Sequence, residues 1–131
     1  MIRKWFGVVL LTVIAMALLN TSGCARDQKL ESITLSPADG FVFEGFNAAG
    51  QFTAYGNYIH PPETKDISNQ VTWSLNIKNF GTISPTGLVT YTRADGCGSG
   101  QVTATFNNSN GSVVVATAPV SGANSGGAGC Q

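Results

Sequence analysis

Few side chains in this sequence are equipped to make or break bonds: one imidazole, three thiols and seven carboxylates among 131 residues. The imidazole is His60, followed by Pro61 and Pro62, with neither a Cys nor a patterned carboxylate beside it. It reads as a solvated loop side chain rather than as a base or a ligand. Cys97, Cys130 and His60 together offer a metal three soft ligands, but a closed zinc site needs a fourth and exported thiols tend to oxidise, so no metal site is expected. Asp39-Gly40 and Asp95-Gly96 carry oxygen donors. Calcium takes many more oxygens than these supply, and Asp-Gly is first of all a turn pair. No nucleophile elbow, paired-His zinc motif, phosphate-cradling Gly loop or EF-hand spacing occurs. With no catalytic set there is no reason to expect an enzyme or a cofactor. The remaining chemistry is recognition. Tyr55, Tyr58 and Tyr91, with Phe41, Phe43, Phe46 and Trp73, are candidates for an aromatic sugar-binding face. The competing use of Trp73 and most of the Phe residues is to fill the roughly 10 Å between two packed sheets.

The first 23 residues stand apart from whatever folds behind them. Arg3 and Lys4 form a basic start, Trp5 to Leu19 is an uninterrupted 15-residue stretch without charge, and Asn20 to Gly23 is small and polar. That is the three-part layout of an export signal, and the apolar run is shorter than the roughly 20 residues a membrane-spanning helix needs. The signal is therefore expected to be a cleavable helix. Thr21-Ser22-Gly23-Cys24 resembles the lipobox of bacterial lipoproteins, in which the Cys thiol is acylated with a diacylglyceryl group and becomes the new N-terminus. Thr21 stands where the family usually has Leu. The resemblance implies a lipidated Cys24, a polar tether over residues 24–29, and a location in the bacterial cell envelope. Ala25, rather than Asp, after that Cys leans towards the outer membrane over the inner.

From Cys24 onward, five Lys/Arg face seven Asp/Glu, a mildly acidic balance without a charge run. Nucleic acid as a partner would demand a concentrated basic footprint and is not expected. Positioning comes from strands. Leu30 to Pro37 alternates through Ile33 and Leu35 and ends at a Pro, as an edge strand does. Phe41 to Phe43 is a short apolar piece, and Glu44 to Gly50 reads as a connection. Gln51 to Tyr58 puts Phe52, Ala54 and Gly56 on one face. Ile59 to Gln70 reads as a long surface connection. Val71, Trp73 and Leu75 alternate as a half-buried strand, so Trp73 is expected in the core with Val71, Phe52, Ile83 and Val102. Thr82 to Ser84 and Leu88 to Thr92 flank a Pro-Thr-Gly turn, Gln101 to Phe106 alternates again, and Ser112 to Val120 is a last β-branched strand after Asn110-Gly111. No 3.6-residue period appears outside the leader. The pattern predicts an all-β protein, an antiparallel β-sandwich of about seven short strands over residues 30–120, with a Gly/Ser-rich tail over 121–131.

The order Ile33-x-Leu35-x-Pro37, Gln51-Phe52-Thr53-Ala54, Asp66-Ile67-Ser68, Val71-Thr72-Trp73-Ser74, Gly81-Thr82-Ile83-Ser84, Thr86-Gly87-Leu88-Val89-Thr90 and Gly100-x-Val102-Thr103-Ala104-Thr105 resembles the group 2 bacterial immunoglobulin-like domain. That module recurs in intimin- and invasin-type adhesins. Two departures are visible: the Gly-rich link before the last two strands is expanded into Arg93 to Gly100, with Cys97 inside it, and a single module is present. The resemblance implies an immunoglobulin-like sandwich acting in adhesion, in protein interaction or as a spacer. A carbohydrate-binding surface lipoprotein is the alternative. The membrane, through the N-terminal lipid, is the expected partner, together with a protein or glycan that the sequence does not name.

With Cys24 acylated, Cys97 and Cys130 remain as an even pair in an oxidising compartment, and a disulfide between them is expected. Antiparallel pairing of the last two strands returns the chain towards Cys97. The closed loop would span 34 residues.

Overall fold

The computed structural model describes residues 28–93 and 97–123. The expected export signal, Cys24, Asp95 and Cys130 lie outside the described residues. Ten strands follow one another: β1 (Lys29–Ser36), β2 (Phe41–Glu44), β3 (Ala49–Gln51), β4 (Thr53–Ile59), β5 (Glu63–Asp66), β6 (Thr72–Leu75), β7 (Gly81–Ile83), β8 (Leu88–Tyr91), β9 (Cys97–Asn107) and β10 (Val113–Ala123). Among the described residues no helix is long and apolar enough to cross a membrane. The all-β class expected from the alternation is the class observed.

Three hydrogen-bonded groups build the sandwich: β1-β4-β5, β3-β8-β7 and β2-β10-β9-β6. The first two are halves of one layer. β3 and β4 are a single chain path interrupted at Phe52, whose N–H leaves the ladder to donate to the Gly87 carbonyl at 2.9 Å. The chain before the break pairs with β8 and the chain after it pairs with β1 and β5, so β1, β3/β4, β8 and β7 face the second layer β2-β10-β9-β6. The apolar alternation of β4, β6, β9 and β10 then points to one interior, where Phe52, Ala54, Val89, Val102 and Ala104 have no exposed surface.

Several expectations are corrected. Ten strands replace about seven, because β3 begins within Glu44 to Gly50 and is split from β4 at Phe52, and Ile59 to Gln70 contains β5. β9 begins at Cys97, four residues before the expected start, and β10 runs to Ala123, three residues into the stretch read as a tail. The sandwich is not wholly antiparallel: β2 runs parallel to β10, Phe41 opposite Val120 through Glu44 opposite Ala123. The turn before β2 brings the chain against β10 so closely that a Cβ at Gly40 would sit 1.6 Å from the Pro119 carbonyl oxygen; Gly40 also has a φ of 75°. A side chain has no room there.

Candidate functional site

The motif residues come together, and what they build is a core joint. Asp66 ends β5 and its Oδ1 accepts the Ser68 N–H at 2.9 Å. Between them Ile67 is fully buried, with its N–H donating to the Ala54 carbonyl at 2.8 Å. Ser68 Oγ accepts the Ala54 N–H at 2.9 Å, and the Ser68 carbonyl accepts Trp73 Nε1–H at 2.9 Å. The hydroxyl and backbone N–H of Ser68 hold the Asp66 carboxyl below the usual Asp range. On the other side of the indole, the Ser84 hydroxyl accepts the N–H groups of Thr86 and Leu88, shaping the turn that carries Gly87 over the Trp73 ring. Ser68, Trp73, Ser84 and Gly87 therefore satisfy backbone polar groups and fill space.

Trp73, Val71, Phe52 and Val102 lie in the core, while Ile83 packs on it from the margin, half-buried. Leu30, Ile67, Phe80 and Tyr91 are equally buried and were missed. Tyr91 is one of the aromatics that the sequence offers for a sugar-binding face. It is instead fully buried, 4.9 Å from the Phe80 ring in an edge contact and stacked on Phe43 at 6.3 Å. Trp73 and Phe43 are buried as well, whereas Phe46 is exposed in the β2–β3 turn and Tyr55 on β4.

His60 is exposed in the turn between β4 and β5. Among the described residues no group of three His, Cys, Asp or Glu side chains could hold a metal. Charge collects at β5, where Lys65 Nζ lies 2.9 Å from Glu63 and 5.4 Å from the Tyr58 ring centre. A hydrogen bond from Gln28, then Lys65, lowers the Glu63 carboxyl from the usual Glu range. Cys97 opens β9 opposite Ala123 and is disulfide-bonded; its partner lies outside the described residues.

One surface differs from the rest. The outward residues of β6, β9 and β10 line up in rows across the sheet: Thr72, Thr105 and Val115 in one, Ser74, Thr103 and Thr117 in the next. Eleven successive β9–β10 pairs carry no register shift, so this face has no bulge between those strands. Its ridge is apolar, with Val113 56% and Val115 53% exposed. The five hydroxyls of Thr72, Ser74, Thr103, Thr105 and Thr117 make no hydrogen bond within the described protein. On the opposite layer three outward hydroxyls gather at Asn57, whose Nδ2 donates to Ser32 and Thr34 and whose Oδ1 accepts from Thr64, while those of Thr53, Thr82 and Thr90 make no hydrogen bond within the described protein either. Towards Cys97 the same face dips into a shallow groove between Asp39, Val42, Asn76, Ser99 and Gln101, where Asn76 Oδ1 accepts the Gln101 N–H at 2.8 Å.

No family model matches the chain, and no curated protein matches it either.

Proposed function

We propose that this chain is a lipid-anchored, non-catalytic immunoglobulin-like module of the bacterial cell envelope, working in adhesion or protein interaction through the outer face of the β2-β10-β9-β6 layer. The observation that carries the interaction reading is that face, which runs without a bulge over eleven β9–β10 pairs, is apolar along its ridge and has no ionisable side chain on its β6, β9 and β10 positions. The immunoglobulin-like reading is supported by strand order. β1-β3/β4-β8-β7 against β2-β10-β9-β6 is the division of an immunoglobulin sandwich whose first strand is shared between layers, with a buried Trp on the third main strand. Fold alone does not assign a role, so the role rests on the face.

The anchor rests on Thr21-Ser22-Gly23-Cys24 behind an uncharged run. Chains expressed in a bacterium with labelled palmitate test it: the wild type takes up label and enters the detergent phase, and Cys24→Ser does neither. Equal labelling of both would remove the anchor. A bridge from Cys97 to Cys130 belongs to the same reading, since β10 delivers the chain to a position opposite Cys97 and six residues separate Ala123 from Cys130. The carbohydrate-binding alternative is weakened by the burial of Trp73, Phe43 and Tyr91, which leaves the hydroxyl face without an aromatic platform.

A further inference from the structure

The partner that best matches the hydroxyl face is another face of the same kind. We propose that two copies of this chain associate face to face through the outer surface of β6, β9 and β10, in a weak two-fold dimer; its cellular weight rests on the anchor reading above.

Three features select a second copy over other occupants. A two-fold interface sets each residue against its own symmetry mates, so a surface carrying net charge opposes itself. This one has no ionisable side chain on its outward β6, β9 and β10 positions, from Thr72 to Ser74 and across Thr103, Thr105, Val113, Val115 and Thr117. Charge on this layer is confined to its margin, at Glu44 on β2 and Asp39 beside the groove, so a charged partner would find nothing to pair with across β6, β9 and β10 themselves. Second, a hydroxyl is both donor and acceptor, so rows of Thr and Ser are self-complementary without a matching pattern elsewhere. All five hydroxyls are unbonded within the described protein. Third, a glycan usually finds an aromatic ring to stack on, and the described rings lie in the core or on other strands.

Size sets the strength. Roughly a dozen outward positions, at about 33 Å² each from strand spacing and rise, give about 400 Å² per copy and about 800 Å² in all. Permanent dimers bury well over twice that, so the contact is transient in free solution. Copies held in one membrane plane by their lipids meet at a far higher effective concentration, and a weak contact then suffices.

The test is sedimentation velocity on the purified full chain in density-matched detergent, over protein concentrations from about 10 μM to 1 mM, chosen to span a weak interface. The expected result is a weight-average mass per micelle that rises towards two copies. Val115→Lys and Thr103→Lys each set like charges against each other and lower the association constant at least tenfold. Thr82→Lys, on β7 of the opposite layer, changes it less than twofold. Thermal melts of the three variants accompany the measurement, and Val115→Lys, at a half-exposed position, carries the test if Thr103→Lys does not fold. One copy per micelle throughout overturns the proposal, and so does a rise that both lysine variants leave intact. Binding of a single copy to a glycan array in a Thr103-dependent way overturns it too, and assigns the face to sugar. Palmitate incorporation is read separately, so loss of the anchor and loss of the dimer are different results.

Discussion

A Cβ placed on Gly87 would stand 2.8 Å from Cζ2 of Trp73 and 2.6 Å from the Phe52 carbonyl oxygen. The carbonyl of Gly87 accepts the Phe52 N–H at 2.9 Å, so the turn cannot back away from the indole without breaking the bond that closes the gap between β3 and β4. Gly87 also has a φ of 88°. Gly87→Ala combines left-handed strain with overpacking, and an expected loss of about 2 to 4 kcal/mol follows from the two together. Urea denaturation of the wild type and variant measures it; a loss under 1 kcal/mol would show that the turn yields.

Trp73 separates ring volume from hydrogen bonding. Trp73→Ala is expected to cost about 3 to 5 kcal/mol through the cavity it leaves. Trp73→Phe keeps one ring of the packing, gives up the Nε1–H bond to the Ser68 carbonyl together with the ring atoms that reach Gly87, and is expected to cost about 1 to 3 kcal/mol. Melting temperatures followed by circular dichroism rank the three proteins. If both variants matched the wild type, Trp73 would not be a core residue.

Acid sensitivity should trace to Asp66. Its carboxyl titrates below the usual range because the Ser68 hydroxyl and N–H bond to the ionised form. A group whose folded pKa is depressed adds stability above its unfolded pKa, near 3.9, and that stability is lost as pH falls through the lowered folded value. Wild-type melting temperature should therefore drop below about pH 4, and Asp66→Asn should flatten part of that drop while leaving less stability at neutral pH. An unchanged acid limb in the variant would assign the acid sensitivity elsewhere, Glu63 being the other carboxylate held low among the described residues.

The Cys97 bridge makes a prediction about connectivity. Non-reduced peptide mapping of the alkylated protein should recover one cross-linked peptide pair containing Cys97 and Cys130, and reduction should lower stability by at most about 3 to 4 kcal/mol for a loop of 34 residues. Two alkylated thiols in protein purified without reductant would remove the bridge.

Alternation made the long strands legible. Ile33 and Leu35 on β1, Phe52 and Ala54 along the β3/β4 path, and Val102 and Ala104 on β9 each turn one face to the core, and each pair stands out as period two. β5 could not be read this way, because Glu63, Thr64, Lys65 and Asp66 are all exposed and a strand wet on both faces shows no period. Ile67 and Phe80 were missed for the opposite reason. Each is a single apolar residue in a polar stretch, fully buried by strands distant in sequence. Tyr91 misled because a hydroxyl suggests a surface, and only the packing of Phe43 and Phe80 around it shows otherwise. The hydroxyl face was invisible as a unit, since its rows combine β6 with β9 and β10, some thirty residues apart. The Thr103-Ala104-Thr105 alternation was the signal within one strand.

The parallel pairing of β2 with β10 joins the early part of the chain to its late part, four residue pairs long. A pull on the two ends of the polypeptide in opposite directions drags these strands past each other along their length. Their hydrogen bonds then share the load in shear and must fail together, whereas an antiparallel end pair under the same pull would unzip one bond at a time. A module pulled from both ends thus meets a shear clamp at β2 and β10 once the load has passed β1.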